Sequence, residues 1–191
     1  NIYCFTRGIK PIHIAGDSHV WPYKNMHPFE VHHFGGVTAY NLNNQNSTTG
    51  SLKKLNSTLL ELSKRKHIIL FSFGEIDCRL HIYNQFRKKQ QKVALKRLIS
   101  DTIRNYMSVI IKLKKLGWSV SVLSPTPSGT ERNVYKMKFF ADFKTRSAIT
   151  KQYHLNLKRE SKINGIPYIN VYSKVATKLG GIKSSYKKDA V

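Results

Sequence analysis

The chain has 191 residues, 40% of them hydrophobic, which is enough to build the core of one domain. Its longest apolar stretches, such as "HIILFSF" and "SVIIKL", are broken by polar residues and fall well short of the roughly 20 residues that cross a bilayer, so no transmembrane segment is expected. Thirty-three Lys and Arg against ten Asp and Glu give a formal charge of +23, a surface that attracts polyanions.

The basic residues are spread along the chain at 64–66, 87–92, 112–115 and 183–188, and none of these stretches interleaves them with aromatics as a base-stacking platform does. This predicts a general positive coat rather than a specific nucleic-acid reader. Cys4 and Cys78 lie far apart without C-x-x-C spacing, which gives no metal site and at most one disulfide; two unpaired thiols are the simpler expectation. Neither G-x-x-x-x-G-K-[ST] nor G-x-G-x-x-G occurs, so the phosphate-cradling loops of nucleotide binders are missing and no cofactor is called for.

In chain order, residues 11–15 form the first apolar run bounded by turn residues and read as a strand, and a further strand is expected within 29–34, just ahead of Gly35 and Gly36. Residues 51–65 place Leu52, Leu55, Leu59 and Leu62 at steps of three and four, the pattern of an amphipathic helix, with Ser51 as its N-cap. A third strand is expected over 67–73. The apolar set Leu95, Ile99, Ile103, Tyr106, Ile110 and Leu113 then keeps helical period through 86–116, and Gly117 ends it. A strand over 118–123, a helix over 145–163 closed by Asn164-Gly165, and a strand over 166–171 complete the series. Strands alternating with long helices require right-handed crossovers and a parallel sheet covered on both faces. The fold class is therefore α/β: a three-layer α/β/α sandwich with a mostly parallel sheet of about five strands. One domain over 1–191 is expected. Because the first residue is Asn1 rather than Met, the chain reads as a piece excised from a longer one.

Ligands of such sheets sit at the carboxyl ends of the strands. The residues found there are "GDSH" (16–19), Gly35 and Gly36, "GEIDCRLH" (74–81) and "SPTPSGTERN" (124–133), and the chain closes on "KKDAV". A serine on a tight strand-to-helix turn exposes its hydroxyl and its N–H where the helix dipole favours negative charge, which suits attack on an ester. The plainer role for Asp17 or Ser18 is to cap the following segment, and the motif alone leaves both open.

The ordered blocks "GDSH", Gly-Gly, "FGEID" and the C-terminal Asp189 resemble the SGNH (GDSL-like) hydrolase superfamily of esterases and acyltransferases, across nearly the whole chain. The resemblance implies the flavodoxin-like SGNH fold, Ser18 as nucleophile, and an oxyanion hole drawn from Ser18, Gly35, Gly36 and Gly74. It also implies a catalytic pair in which Asp189 orients a His. That His would fall just after Val191, so the chain is expected to stop immediately before it. The third block departs from the family pattern, because Ile76 stands where an Asn amide normally donates to the oxyanion, a loss worth about a hundredfold or more in rate. Asp17, His19, Glu75, Asp77, Arg79 and His81 are expected near the substrate. Arg79 suits either an anionic substrate group or an ion pair with Glu75 or Asp77, whereas His13, inside a strand, reads as a packing residue.

The carboxylates Asp17, Glu75 and Asp77 raise a metal site, but no ligand spacing orders them, and no metal is assigned. Two function classes follow. One is a serine esterase or O-acyltransferase working through an acyl-Ser18 intermediate on a small-molecule or glycan ester, which the resemblance suggests is an O-acetylated carbohydrate. The other is a catalytically weakened module of this kind that holds a polyanion, an acidic glycan or nucleic acid, through its basic surface. Compartment and oligomeric state are not legible.

Overall fold

The computed structural model describes residues 10–62, 67–129 and 141–186. Five short segments become strands: β1 (Ile12–Gly16), β2 (Phe29–His33), β3 (Ile68–Ser72), β4 (Ser119–Leu123) and β5 (Tyr168–Ile169). All pair in parallel, in the order β2-β1-β3-β4-β5. Helices α1 (Ser51–Glu61), α2 (Ile82–Lys88), α3 (Leu95–Lys115), α4 (Phe143–Ile163) and α5 (Tyr172–Val175) fill the connections and follow the last strand. This is the α/β architecture expected from the alternation of apolar runs and helical periods.

The strand order decides where the site can form. The chain leaves β1 for one edge, returns past it to β3, and then builds outward to the other edge. With right-handed crossovers, the β1–β2 connection lies on one face and the next three on the opposite face. Side chains alternate accordingly. Ala15, Ile69, Phe71, Val120 and Val122 join residues of the long helices in the main core, while Ile14, Leu70 and Leu123 meet Val20 on the other side.

Local details differ from the sequence expectations for identifiable reasons. Ser51 does not cap α1: its hydroxyl donates to the Asn41 carbonyl at 2.8 Å, and the N-cap is Gly50 with φ of 61°. The helix expected over 86–116 is two. Gln90 and Gln91 adopt φ of 50° and 61°, and the polar stretch around them offers no apolar face to hold a helix together. Helical structure instead starts earlier, at Glu75, inside the segment read as a loop. The strand expected over 166–171 shrinks to Tyr168–Ile169, at the sheet edge. Helix α4 begins two residues earlier than expected because the Asp142 side chain accepts from the Thr145 N–H at 2.6 Å. Cys78 is a buried free thiol, and Cys4 lies outside the described residues.

Gly16 ends β1 with no room for a side chain: a Cβ there would strike the Ser72 carbonyl and approach Val20 Cγ1 to 2.6 Å. Gly16→Ala is therefore expected to cost about 1–3 kcal/mol, lowering the melting temperature by roughly 3–10 °C. An unchanged melting curve would show that the β1–β3 junction has slack.

Candidate active site

Gly16 and Ser72 are register partners at the carboxyl ends of β1 and β3, and the bare Gly16 backbone lets the following loops start side by side. The Asp17 N–H points to the Ser72 carbonyl at 3.4 Å, and the Phe34 N–H donates to the Gly16 carbonyl at 2.9 Å. The switch point between β1 and β3 thus carries the ends of the first three strands, which is where doubly wound sheets bind ligands.

The turn after β1 leads into a 3-10 helix, Ser18–Tyr23, and Pro22 within it removes an N–H that a longer helix would use. Asp17 is fully buried and does the capping, its Oδ1 accepting from the His19 N–H at 2.9 Å. Ser18 is left exposed. Of the pair, Asp17 takes the capping role and Ser18 does not.

Around Ser18 the charges form a linked set. His19 Nδ1 lies 3.1 Å from Asp17 Oδ1 and 3.6 Å from Glu75 Oε2, and Arg79 Nε pairs with Glu75 Oε1 at 2.9 Å. Burial depresses the His19 pKa, but the Asp17 hydrogen bond and the charges of Glu75 and Asp17 outweigh it, so the net shift is upward. Burial raises the Glu75 pKa against the opposing pull of His19 and Arg79. Arg146, only 2% exposed, adds a further positive charge felt by Glu75. Sequence reading missed Arg146. Its signal was present, because it shares the buried stripe of α4 with Ile149, Tyr153 and Leu157 at steps of three and four. Asp17, His19 and Glu75 also hold ligand atoms within 4.8 Å of one another, but Arg79 and His19 already neutralise these carboxylates, which disfavours a cation.

The glycines occupy the neighbouring loops. Gly35 takes φ of 79° and Gly36 is exposed with open space at its Cα. Lys54 Nζ donates to the Phe34 carbonyl at 2.8 Å beside them. Gly74 is buried with φ of 115°, and a Cβ there would meet the Tyr153 hydroxyl at 2.5 Å. Ile76 is partly buried on the helical turn that follows.

Asp77 and His81, expected near the substrate, contact the loop at Ala39 and Tyr40. Asp77 is fully buried; its Oδ2 accepts from the Ala39 N–H at 2.6 Å and its Oδ1 from the Tyr40 N–H at 3.1 Å. The His81 ring lies over Tyr40, centroids 5.0 Å apart, and burial together with Lys88 lowers its pKa. The π-helical turn Asp77–His81 thus clamps the loop that follows Gly35 and Gly36. Asp189 lies outside the described residues.

Burial raises the Asp77 pKa to about 7, opposed by the two loop N–H groups. An aspartate raised from about 3.9 in the unfolded chain contributes stability that is fully present below that value and lost as pH rises through about 7. Asp77→Asn cannot titrate and places an NH2 against N–H donors, costing about 2 kcal/mol. Urea melts should show this penalty narrowing between pH 4.5 and 7.5, and a penalty that stays constant or widens instead would mean the carboxylate is already ionised in the fold throughout that range.

No protein-family model matches the chain, and no curated protein matches it in sequence. Solved structures match its fold. A Bacteroides fragilis protein assigned as an acylhydrolase aligns with TM-score 0.63 and 16% identity over 97% of this chain and 79% of its own. A GDSL-like lipase from Bacteroides thetaiotaomicron aligns with TM-score 0.64 and 16% identity over 96% of this chain and 79% of its own. With the parallel 2-1-3-4-5 sheet and the "GDSH" turn at its switch point, these likenesses identify the chain's fold as that of the SGNH (GDSL-like) hydrolase superfamily.

Proposed function

We propose that the protein is a serine-dependent carboxylic ester hydrolase or O-acyltransferase with Ser18 as nucleophile. The observation that carries this is the exposed Ser18 beside the β1–β3 switch point, released from capping by the buried Asp17. Ser18 Oγ attacks the acyl carbonyl carbon while its proton passes to a base, which the family resemblance assigns to an imidazole oriented by Asp189. The oxyanion so formed is held by backbone N–H groups of Ser18 and of the glycine loops at Gly35, Gly36 and Gly74. Collapse expels the alcohol, which takes the proton, and leaves acyl-Ser18. Water then releases the acid, or a second hydroxyl accepts the acyl group, so hydrolysis and transfer share one intermediate.

The substrate class we assign is an O-acetyl ester of a carbohydrate. The resemblance suggests it, and the +23 charge suits an acidic glycan. One observation favours a second reading. Ile76 puts an apolar side chain where the family's amide donor stands, which suits a weakened module that binds a polyanion without turning it over.

Three outcomes separate these readings. With p-nitrophenyl acetate and O-acetylated glycans, Ser18→Ala is expected to lower kcat/KM by about a thousandfold or more while leaving the melting temperature in place; unchanged turnover would remove Ser18 from the chemistry. Ile76→Asn should raise kcat about tenfold if the hole lacks only this donor, and no gain would mean another group already fills it. Salt-sensitive polyanion binding with no ester cleavage by the wild-type protein would favour the binding module.

A further inference from the structure

A second cluster of functional groups lies beside the core of the sheet, separate from the Ser18 charge set. His13 on β1 is 2% exposed, and both of its ring nitrogens face other imidazoles. His13 Nδ1 is 2.9 Å from His32 Nε2, and His13 Nε2 is 2.8 Å from His67 Nδ1. Glu30 Oε2 stands 3.4 Å from the same His13 Nδ1. Register explains the meeting. His13 pairs with Glu30, and His32 pairs with Ala15 two residues along, so all three side chains leave the same face of β1 and β2. His67 immediately precedes β3, whose Ile68 pairs with Ile12, which brings it to the same face from the other side of β1.

Three groups, the imidazoles of His32 and His67 and the carboxylate of Glu30, gathered around one buried imidazole are an unusual load for the edge of a core. A packing histidine needs one partner, whereas here three side chains able to ligate, from two adjacent strands, converge with His67 behind them.

We propose that His13, Glu30 and His32 form a binding site for a borderline divalent cation of the zinc class. Their ligand atoms, one from each residue, lie within 4.8 Å of one another. A tetrahedral zinc with ligands near 2.0–2.1 Å sets neighbouring donors about 3.3 Å apart; the two distances from His13 Nδ1, 2.9 Å to His32 and 3.4 Å to Glu30, are within a few tenths of an ångström of that, and the His32–Glu30 pair lies within 4.8 Å. Two imidazoles and one carboxylate are a donor set that suits zinc better than magnesium or calcium, which prefer all-oxygen shells. With His13 bound through Nδ1, its Nε2–H donates to His67 Nδ1. That outer-shell hydrogen bond fixes ring and tautomer. The Glu30 side chain is 46% exposed, which gives the ion an entry path and leaves a fourth position for water.

The cation staples an edge that apolar burial holds poorly. None of the five residues of β2 is fully buried, yet this strand leads directly into Gly35 and Gly36. Linking His32 and Glu30 to the buried His13 of β1 ties the edge to the sheet interior.

The test uses the protein stripped with EDTA and titrated with zinc chloride, read by calorimetry and thermal melting. One zinc per chain is expected, with a melting temperature rise of roughly 5–10 °C at a hundredfold excess over Kd. His13→Ala risks misfolding because the residue is buried, so the diagnostic variants are Glu30→Gln and His32→Gln on the more accessible side. Each should weaken zinc binding at least about tenfold, whereas His19→Ala should leave it intact. Absence of zinc binding, or binding lost with His19→Ala and kept in the other two variants, would overturn the assignment.

Discussion

Much of this structure depends on one close approach, that of the Gly16 backbone to the Ser72 carbonyl at the carboxyl ends of β1 and β3. In a sheet of order 2-1-3-4-5 the two connections that diverge from the centre leave a crevice above the strand ends. A side chain at Gly16 would wedge that crevice apart. Without one, the Asp17 N–H reaches toward Ser72, the Phe34 N–H reaches Gly16, and three loops distant in sequence share a rim. Ser18 stands on that rim because the residue before it is buried and carries the capping bond.

The rim is then fixed by two differently built sets of polar contacts. Near Ser18, opposite charges alternate through Asp17, His19, Glu75 and Arg79, so burial of the carboxylates is compensated by neighbours rather than by water. Behind it, Asp77 uses both carboxylate oxygens on backbone amides at positions 39 and 40. This joins the helical turn after β3 to the loop after β2. Preorganised N–H groups stabilise a developing oxyanion only if their loops do not move at the moment of reaction, and in the mechanism proposed for Ser18 the two Asp77 hydrogen bonds would serve to hold the loop that follows Gly35 and Gly36.

The parts of this arrangement visible in the sequence were those written locally. Apolar runs bounded by turn residues marked four of the five strands, steps of three and four marked α1 and α3, the Asn164-Gly165 stop marked the end of α4, and the order of blocks placed Ser18, Gly35, Gly36 and Gly74 at strand ends. What escaped was set by contacts across the chain. The hydroxyl of Ser51 serves the Asn41 carbonyl instead of its own helix, and Asp77 and His81 face a loop about forty residues earlier. The π-helical turn Asp77–His81 has no periodic signature, because it is a single turn fixed by that clamp. The meeting of His13, His32 and His67 depends on sheet register, which no local spacing encodes.

The central claim is that Ser18 is an activated nucleophile and not an exposed turn residue. Intact-mass spectrometry after treatment with a fluorophosphonate, followed by peptide mapping, tests it most directly, because the reagent phosphonylates activated serines. The account predicts one adduct, located on Ser18 and missing from the Ser18→Ala protein. A folded wild-type protein that takes up no adduct, or takes it up elsewhere, would contradict it.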